Sequence, residues 1–123
     1  MTSATPPTGI ITVLNTPFTD RNTIDVDGLA KNVENAIAAG VAGFLVPAMA
    51  SEVDKLSDAE RALMVQTVLE KARGRASVLG GASAREHEDR VRWTRTLTEL
   101  GCDGVLVSVP YEGEEAYERE VRE

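Results

Sequence analysis

The chain is predicted to fold as an α/β protein built on a parallel sheet, and three observations lead there. Short apolar runs alternate with helical patterns, four times over. The runs are apolar on both faces, as strands are when helices cross over them; half-exposed antiparallel strands would alternate instead. Finally, Gly40-Val-Ala-Gly43-Phe-Leu-Val and Gly101-Cys-Asp-Gly104-Val-Leu-Val share the pattern G-x-x-G-[FV]-L-V. The chain repeats its own βα unit.

Each element has its own signal. The run from Gly9 to Thr16 is β-branched and stops at Pro17, which has no N–H for a sheet ladder. Asp20-Arg-Asn-Thr23 makes a turn, and a helix opens near Asp25. Val26, Leu29, Ala30, Val33 and Ile37 fall at i, i+3, i+4 and i+7 spacing, on one face. Gly40 stands where a C-terminal cap glycine belongs. The second strand is Gly43 to Pro47. Ser57-Asp-Ala-Glu60 is a capping box, opening a helix that carries Leu63, Met64, Thr67 and Val68 toward Gly74. Ser77 to Gly80 forms the third strand. A long helix from about Ala84 carries Val91, Leu97 and Leu100 to a cap at Gly101. The fourth strand runs from Gly104 to Val109, closed by Pro110. Glu114 to Glu123 begins a fourth helix that shows no C-cap signal.

The first eight residues are small, polar and Pro-containing, and are expected to form a flexible N-terminal segment. Residues 9–123 are expected to make one unit. The net charge of −7, spread along the chain, argues against nucleic acid or an anionic membrane as partner. No basic stripe with interleaved aromatics is present, and no stretch of ~18 apolar residues could span a bilayer. The start lacks the regions of a signal peptide, and the single cysteine, Cys102, fits a reducing cytoplasm. Cys102 is expected to be a small buried group at a helix–strand turn, and Trp93 to pack or to form a subunit contact. His87, in the charged stretch Arg85-Glu-His-Glu-Asp-Arg90, is expected on a solvated face, so no metal site is foreseen. Gly80-Gly81 precedes a helix but belongs to neither phosphate-binding glycine motif, and no cofactor is implied.

Four parallel strands covered by helices on one side make half of a closed eight-stranded barrel. Half a barrel leaves two strand edges unpaired and one face of the sheet bare. Such a chain must belong to a longer protein, pair with another half, or rearrange into a small open sheet. The absent C-cap at Glu123 favours the longer protein.

The strand ends carry a family resemblance. Val13-Leu-Asn-Thr16-Pro17-Phe18 is similar to the T-P-F/M ending of the first strand in the dihydrodipicolinate synthase and N-acetylneuraminate lyase family. Ala48-Met49-Ala50-Ser51-Glu52, followed by Leu56-Ser57-Asp58-Ala59-Glu60-Arg61, resembles that family's G-T-T-G-E turn and the helix start after it. Gly80-Gly81-Ala82-Ser83 corresponds to its Gly-rich third-strand end. Val107-Ser-Val-Pro110-Tyr111 is similar to V-x-P-Y-Y at the fourth. The resemblance runs in order from Gly9 onward.

It implies a (β/α)8 barrel of the TIM type, with this chain supplying about the first four βα units. It also implies a class I aldolase chemistry. In the family a lysine on the sixth strand forms an imine with pyruvate or a related 2-oxo acid, so that a neighbouring C–C bond can form or break. Backbone amides and hydroxyls of the turn after strand two hold the substrate carboxylate, at the end of the barrel where such active sites lie. Carried over, Thr16, Ala50 and Ser51 are the substrate-binding candidates and Tyr111 the catalytic one. The imine lysine is expected beyond Glu123; Lys31, Lys55 and Lys71 sit on predicted helices or a loop.

Three departures stand out. Met49 and Ala50 take the places of the two threonines, so both hydroxyls are missing. Ser51 replaces the second glycine, and Glu112 replaces the second tyrosine, which in the family completes a proton relay across a subunit contact. Together they point to a family member with altered chemistry or another 2-oxo acid as substrate. Glu52 is expected to order the turn by accepting backbone N–H bonds. The partners implied are a small 2-oxo acid and either further copies of the chain or a C-terminal half barrel. The competing reading is a non-catalytic half barrel that self-associates as a binding or assembly module. A receiver-type signalling domain is set aside, because the first and third strands end in Asn15-Thr16 and Gly80-Gly81 rather than in clustered acids.

Overall fold

A computed structural model of the chain describes residues 8–109 and 111–122. The expectations for the N-terminal segment up to residue 7, and for Pro110 as the residue closing the fourth strand, lie outside the described residues.

Four parallel strands, β1 (Ile11–Val13), β2 (Gly43–Val46), β3 (Ser77–Gly81) and β4 (Gly104–Leu106), lie in sequence order across one sheet. Among the described residues four α-helices connect or follow them: α1 (Val26–Ala38), α2 (Asp58–Ala72), α3 (His87–Leu100) and α4 (Glu114–Arg122). Crossovers between neighbouring parallel strands follow one hand as a rule, which puts successive helices on the same face, and α1 packs against α2. Register follows from the pairs Val13↔Leu45, Leu45↔Leu79 and Leu79↔Gly104.

Local chemistry sets the helix starts. The Asp25 carboxylate accepts the N–H of Gly28 at 2.9 Å and caps α1. Ser57 and Glu60 form both bonds of the capping box, with Ser57 N–H donating to Glu60 Oε1 at 2.9 Å and Glu60 N–H to Ser57 Oγ at 3.2 Å. Gly40 and Gly101, after α1 and α3, have φ of 94° and 102°. A side chain is strained in that left-handed region, which explains why glycine occupies both ends of the repeated pattern.

The core lies between sheet and helices. Phe44, Val46 and Val78 from the strands meet Leu29 and Val33 of α1, Met64, Val65 and Val68 of α2, and Trp93 and Leu97 of α3. Each such side chain contributes ~1.5–3 kcal/mol of burial energy. The other face of the sheet is apolar yet open: Val13 is 37% exposed and Leu106 53%, beside half-buried Leu45 and Leu79.

Some expectations are corrected. Leu63 is 40% exposed, and α2 instead buries Arg61, Val65 and Ala72 beside Met64, Thr67 and Val68. The ladder ends at Val13 in β1 and at Leu106 in β4, earlier than the apolar runs, with one further backbone bond from Leu14 N–H to Leu45 O at 3.3 Å. Helix α3 starts at His87 rather than near Ala84, since the carbonyls of Ala84 and Arg85 are taken by the Arg90 guanidinium. Cys102 is buried where α3 turns into β4, as expected, and Trp93 is buried within the chain.

Candidate active site at the strand ends

The C-terminal ends of the strands bring the candidate residues to one end of the sheet. After β2 the chain passes a cis Val46–Pro47 bond and makes two short 3-10 turns, Met49–Ser51 and Val53–Lys55. The first is tied down by buried hydroxyls. Thr16 Oγ1 donates to the Ser51 carbonyl oxygen at 2.5 Å and also lies 3.4 Å from Met64 Sδ. Ser51 Oγ donates to the carbonyl oxygen of Leu14 and accepts the N–H of Ala48 at 3.2 Å. Ser51 is fully buried and Thr16 nearly so.

The structure thus joins two of the predicted substrate-binding residues, Thr16 and Ser51, in one knot between the ends of β1 and β2. Because the Ser51 hydroxyl is spent on the Leu14 carbonyl, and residues 49 and 50 carry none, the polar groups this turn presents are those of its backbone. Ala50 lies exposed beside Ser51, next to Met49, which is 90% exposed. Tyr111 is 73% exposed, and its ring sits 5.9 Å from that of Tyr117 on α4, tilted by 55°.

Glu52 differs from expectation. It adopts φ 57°, its side chain is half exposed, and it faces Lys55 across 3.7 Å. The turn is ordered by Ser51 and Thr16, not by the Glu52 carboxylate. The other lysines, Lys31 and Lys71, are exposed on α1 and α2.

The end of β3 packs directly on this turn. A Cβ placed on Gly81 would stand 1.8 Å from the Pro47 carbonyl oxygen, so only glycine fits. Beyond it, Ala82 N–H donates to Leu106 O at 2.9 Å and Ser108 N–H to Ser83 Oγ at 3.0 Å, binding the ends of β3 and β4 together.

Two arginines hold the loop that follows β3. Arg61 of α2 donates from Nη2 to Gly81 O at 2.9 Å and from Nη1 to Ser83 O at 3.3 Å. Its guanidinium lies 4.3 Å over the Trp93 ring. Burial pushes the Arg61 pKa down, against a smaller opposing pull from Asp58. Arg90 of α3 donates from Nη1 to Ala84 O and Arg85 O, both at 2.8 Å, and from Nε to Glu120 Oε1 at 2.5 Å. His87 Nδ1 contacts the other oxygen of Glu120. The solvated face expected for the stretch from Arg85 to Arg90 therefore does not hold at Arg90, which is 7% exposed. The signal in the sequence is helical spacing: Arg61 shares a face with Met64, Val65 and Val68 at i+3, i+4 and i+7, and Arg90 with Trp93 and Leu97 at i+3 and i+7. Arg61 also lies in the segment that resembles the family's helix start.

Among the described residues, no group of three or more His, Cys, Asp or Glu could hold a metal ion. No helix there is long and apolar enough to cross a membrane.

A model of the dihydrodipicolinate synthetase family matches residues 6–119. The chain is 37% identical over 103 residues to the 4-hydroxy-tetrahydrodipicolinate synthase of Endomicrobium trichonymphae, covering 84% of this chain and 35% of that protein. It is 36% identical over 109 residues to the trans-O-hydroxybenzylidenepyruvate hydratase-aldolase of Pseudomonas putida, covering 83% and 33%. A crystal structure of dihydrodipicolinate synthase superposes with a TM-score of 0.88 at 26% identity, over 93% of this chain and 40% of that one. The four βα units correspond to the N-terminal part of that (β/α)8 barrel. The chain spans about a third of the length of the curated relatives it matches.

Proposed function

Because this chain belongs to the dihydrodipicolinate synthetase family, we propose that it forms the carboxylate-binding half of a lyase that works on pyruvate or a related 2-oxo acid. The observation that carries this reading is the turn after β2, clamped by Thr16 and Ser51 at the strand ends where barrel active sites lie. In this reading the backbone amide of Ala50 receives the substrate carboxylate beside Ser51, whose own N–H donates to Ala48 O at 2.9 Å, and Tyr111 reaches the bound acid from the end of β4.

The chemistry needs an amine outside these residues. A lysine nitrogen adds to the ketone carbon of the 2-oxo acid, and water leaves as the C=N bond forms. The protonated imine then accepts the electron pair of the breaking C–C bond, or supplies it through its enamine when a bond forms. Two relatives support the general class: one is named as a synthase, the other as a hydratase-aldolase. The loss of hydroxyls at Met49 and Ala50, with Glu112 in place of the second tyrosine, favours a 2-oxo acid partner or a proton route other than the synthase's. A cytoplasmic place and assembly with further copies or a C-terminal half barrel belong to the same reading, with neither nucleic acid nor membrane as partner.

A second reading, self-association of this half barrel as a binding or assembly module, draws on the open apolar face that includes Val13 and Leu106. One experiment separates the two. The intact gene product is treated with pyruvate and borohydride, which reduces an imine to a stable amine, and its denatured mass is measured. A pyruvate-sized increment on a protein heavier than 13.2 kDa supports the lyase. A mass equal to this chain with no increment sinks it and favours the assembly module.

A further inference from the structure

We propose that Arg61 is a positioning residue for the turn after β2, an assignment that rests on the reading of that turn as the carboxylate site. The argument is a chain of direct contacts. The Arg61 guanidinium holds the carbonyls of Gly81 and Ser83, so it fixes where the end of β3 lies relative to α2. Gly81 in turn backs onto the Pro47 carbonyl so closely that even a methyl group would collide. Pro47 opens the turn that carries Ala48 to Ser51. An outward or inward shift of Gly81 is therefore felt at Pro47 without any slack between them.

The design of the arginine fits this task. Arg61 is 7% exposed, and Trp93 lies under its guanidinium plane, which restricts the rotation of the fork. Its two donors reach two carbonyls two residues apart, so it sets the curvature of the loop as well as its distance. Lysine at this position has a single nitrogen on a flexible stem and cannot reproduce both bonds. Ser51 and Thr16 hold the turn from the β1 side; Arg61, through Gly81, holds it from the β3 side.

The test uses the intact gene product with Arg61→Ala, Arg61→Lys and a control, Val68→Ala, buried in the same helix. Two quantities are measured. One is amide hydrogen exchange in segments 47–52 and 81–85. The other is the pyruvate concentration giving half-maximal borohydride-trapped adduct. For Arg61→Ala, exchange in both segments and the half-saturating pyruvate are each expected to rise roughly tenfold, with the trapped yield at saturation unchanged. Arg61→Lys recovers part of both losses. Val68→Ala alters these segments no more than the rest of the protein. Where Arg61→Ala does not fold, Arg61→Lys makes the same comparison. If segment 47–52 exchanges alike in the Arg61 variants and in Val68→Ala, the positioning role is overturned. If it responds as expected while the unsubstituted protein traps no pyruvate, the imine reading fails and the positioning of the turn stands.

Discussion

Thr16 and Ser51 lie 35 residues apart, and the hydroxyl of the first donates to the carbonyl oxygen of the second at 2.5 Å. Ser51 answers through its own hydroxyl, which donates to Leu14 two residues before Thr16. The ends of β1 and β2 are thereby stitched by side chains at the point where backbone pairing has stopped. Ser51→Ala removes the donor to Leu14 O and the acceptor for Ala48 N–H, leaving the first buried and the second half-buried. The expected loss is about 1–3 kcal/mol of stability, read from the urea midpoint of the intact protein. A change below a few tenths of a kcal/mol would mean that water replaces the hydroxyl and the knot is not needed.

Cys102 is the second place where burial makes a measurable claim. Burial pushes its thiol pKa up from 9.0 to about 11, with Asp103 adding to the shift. Thiolate is the reactive form, so at pH 8 the folded protein should alkylate with iodoacetamide about a hundredfold more slowly than the unfolded chain. The stability linked to this group is complete below the unfolded value and is lost as pH rises from about 9 to about 11. Mass spectrometry of the cysteine peptide after timed alkylation checks the rate, and equal rates in both states would contradict the burial.

Glu120 links α4 to the rest of the fold. The Arg90 hydrogen bond, with a smaller contribution from His87, holds its carboxyl below the usual carboxylate range. A depressed carboxylate contributes stability that is present above its unfolded pKa and is lost as pH falls through the folded value. Acidification below pH 4.5 should therefore release α4 before the helices that pack in the core. Amide exchange in residues 114–122 should rise at low pH, and Glu120→Gln should raise it already at pH 7, while α2 stays protected. Simultaneous loss of α2 and α4 would show that the Glu120 contact does not act locally.

The features legible in the sequence are those decided within a few residues. Asp25 and Ser57 start their helices as the sequence foretells, because a cap needs only a side chain and an N–H three residues on. Gly40 and Gly101 sit at left-handed positions for an equally local reason, the absence of a Cβ. Four apolar runs separated by helices suffice for a parallel sheet in sequence order, since each strand is followed by the helix that returns the chain. The family resemblance is legible for a related reason: its motifs are contiguous segments at strand ends.

Where the contact partner lies far along the chain, the sequence is silent. Glu52 looks like the residue that orders the turn after β2, yet Ser51 does so, because Leu14 and Thr16 happen to stand opposite it. Arg61 and Arg90 fall by spacing on the buried faces of their helices, yet the carbonyls that satisfy their donors come into reach only once β3 and its loop are in place. By itself the sequence determined the order of elements, their caps and the parallel sheet. The tertiary structure alone decided which hydroxyl is spent, which carbonyls the two arginines hold and which glycine admits no side chain. Those depend on distances between segments that no local pattern encodes.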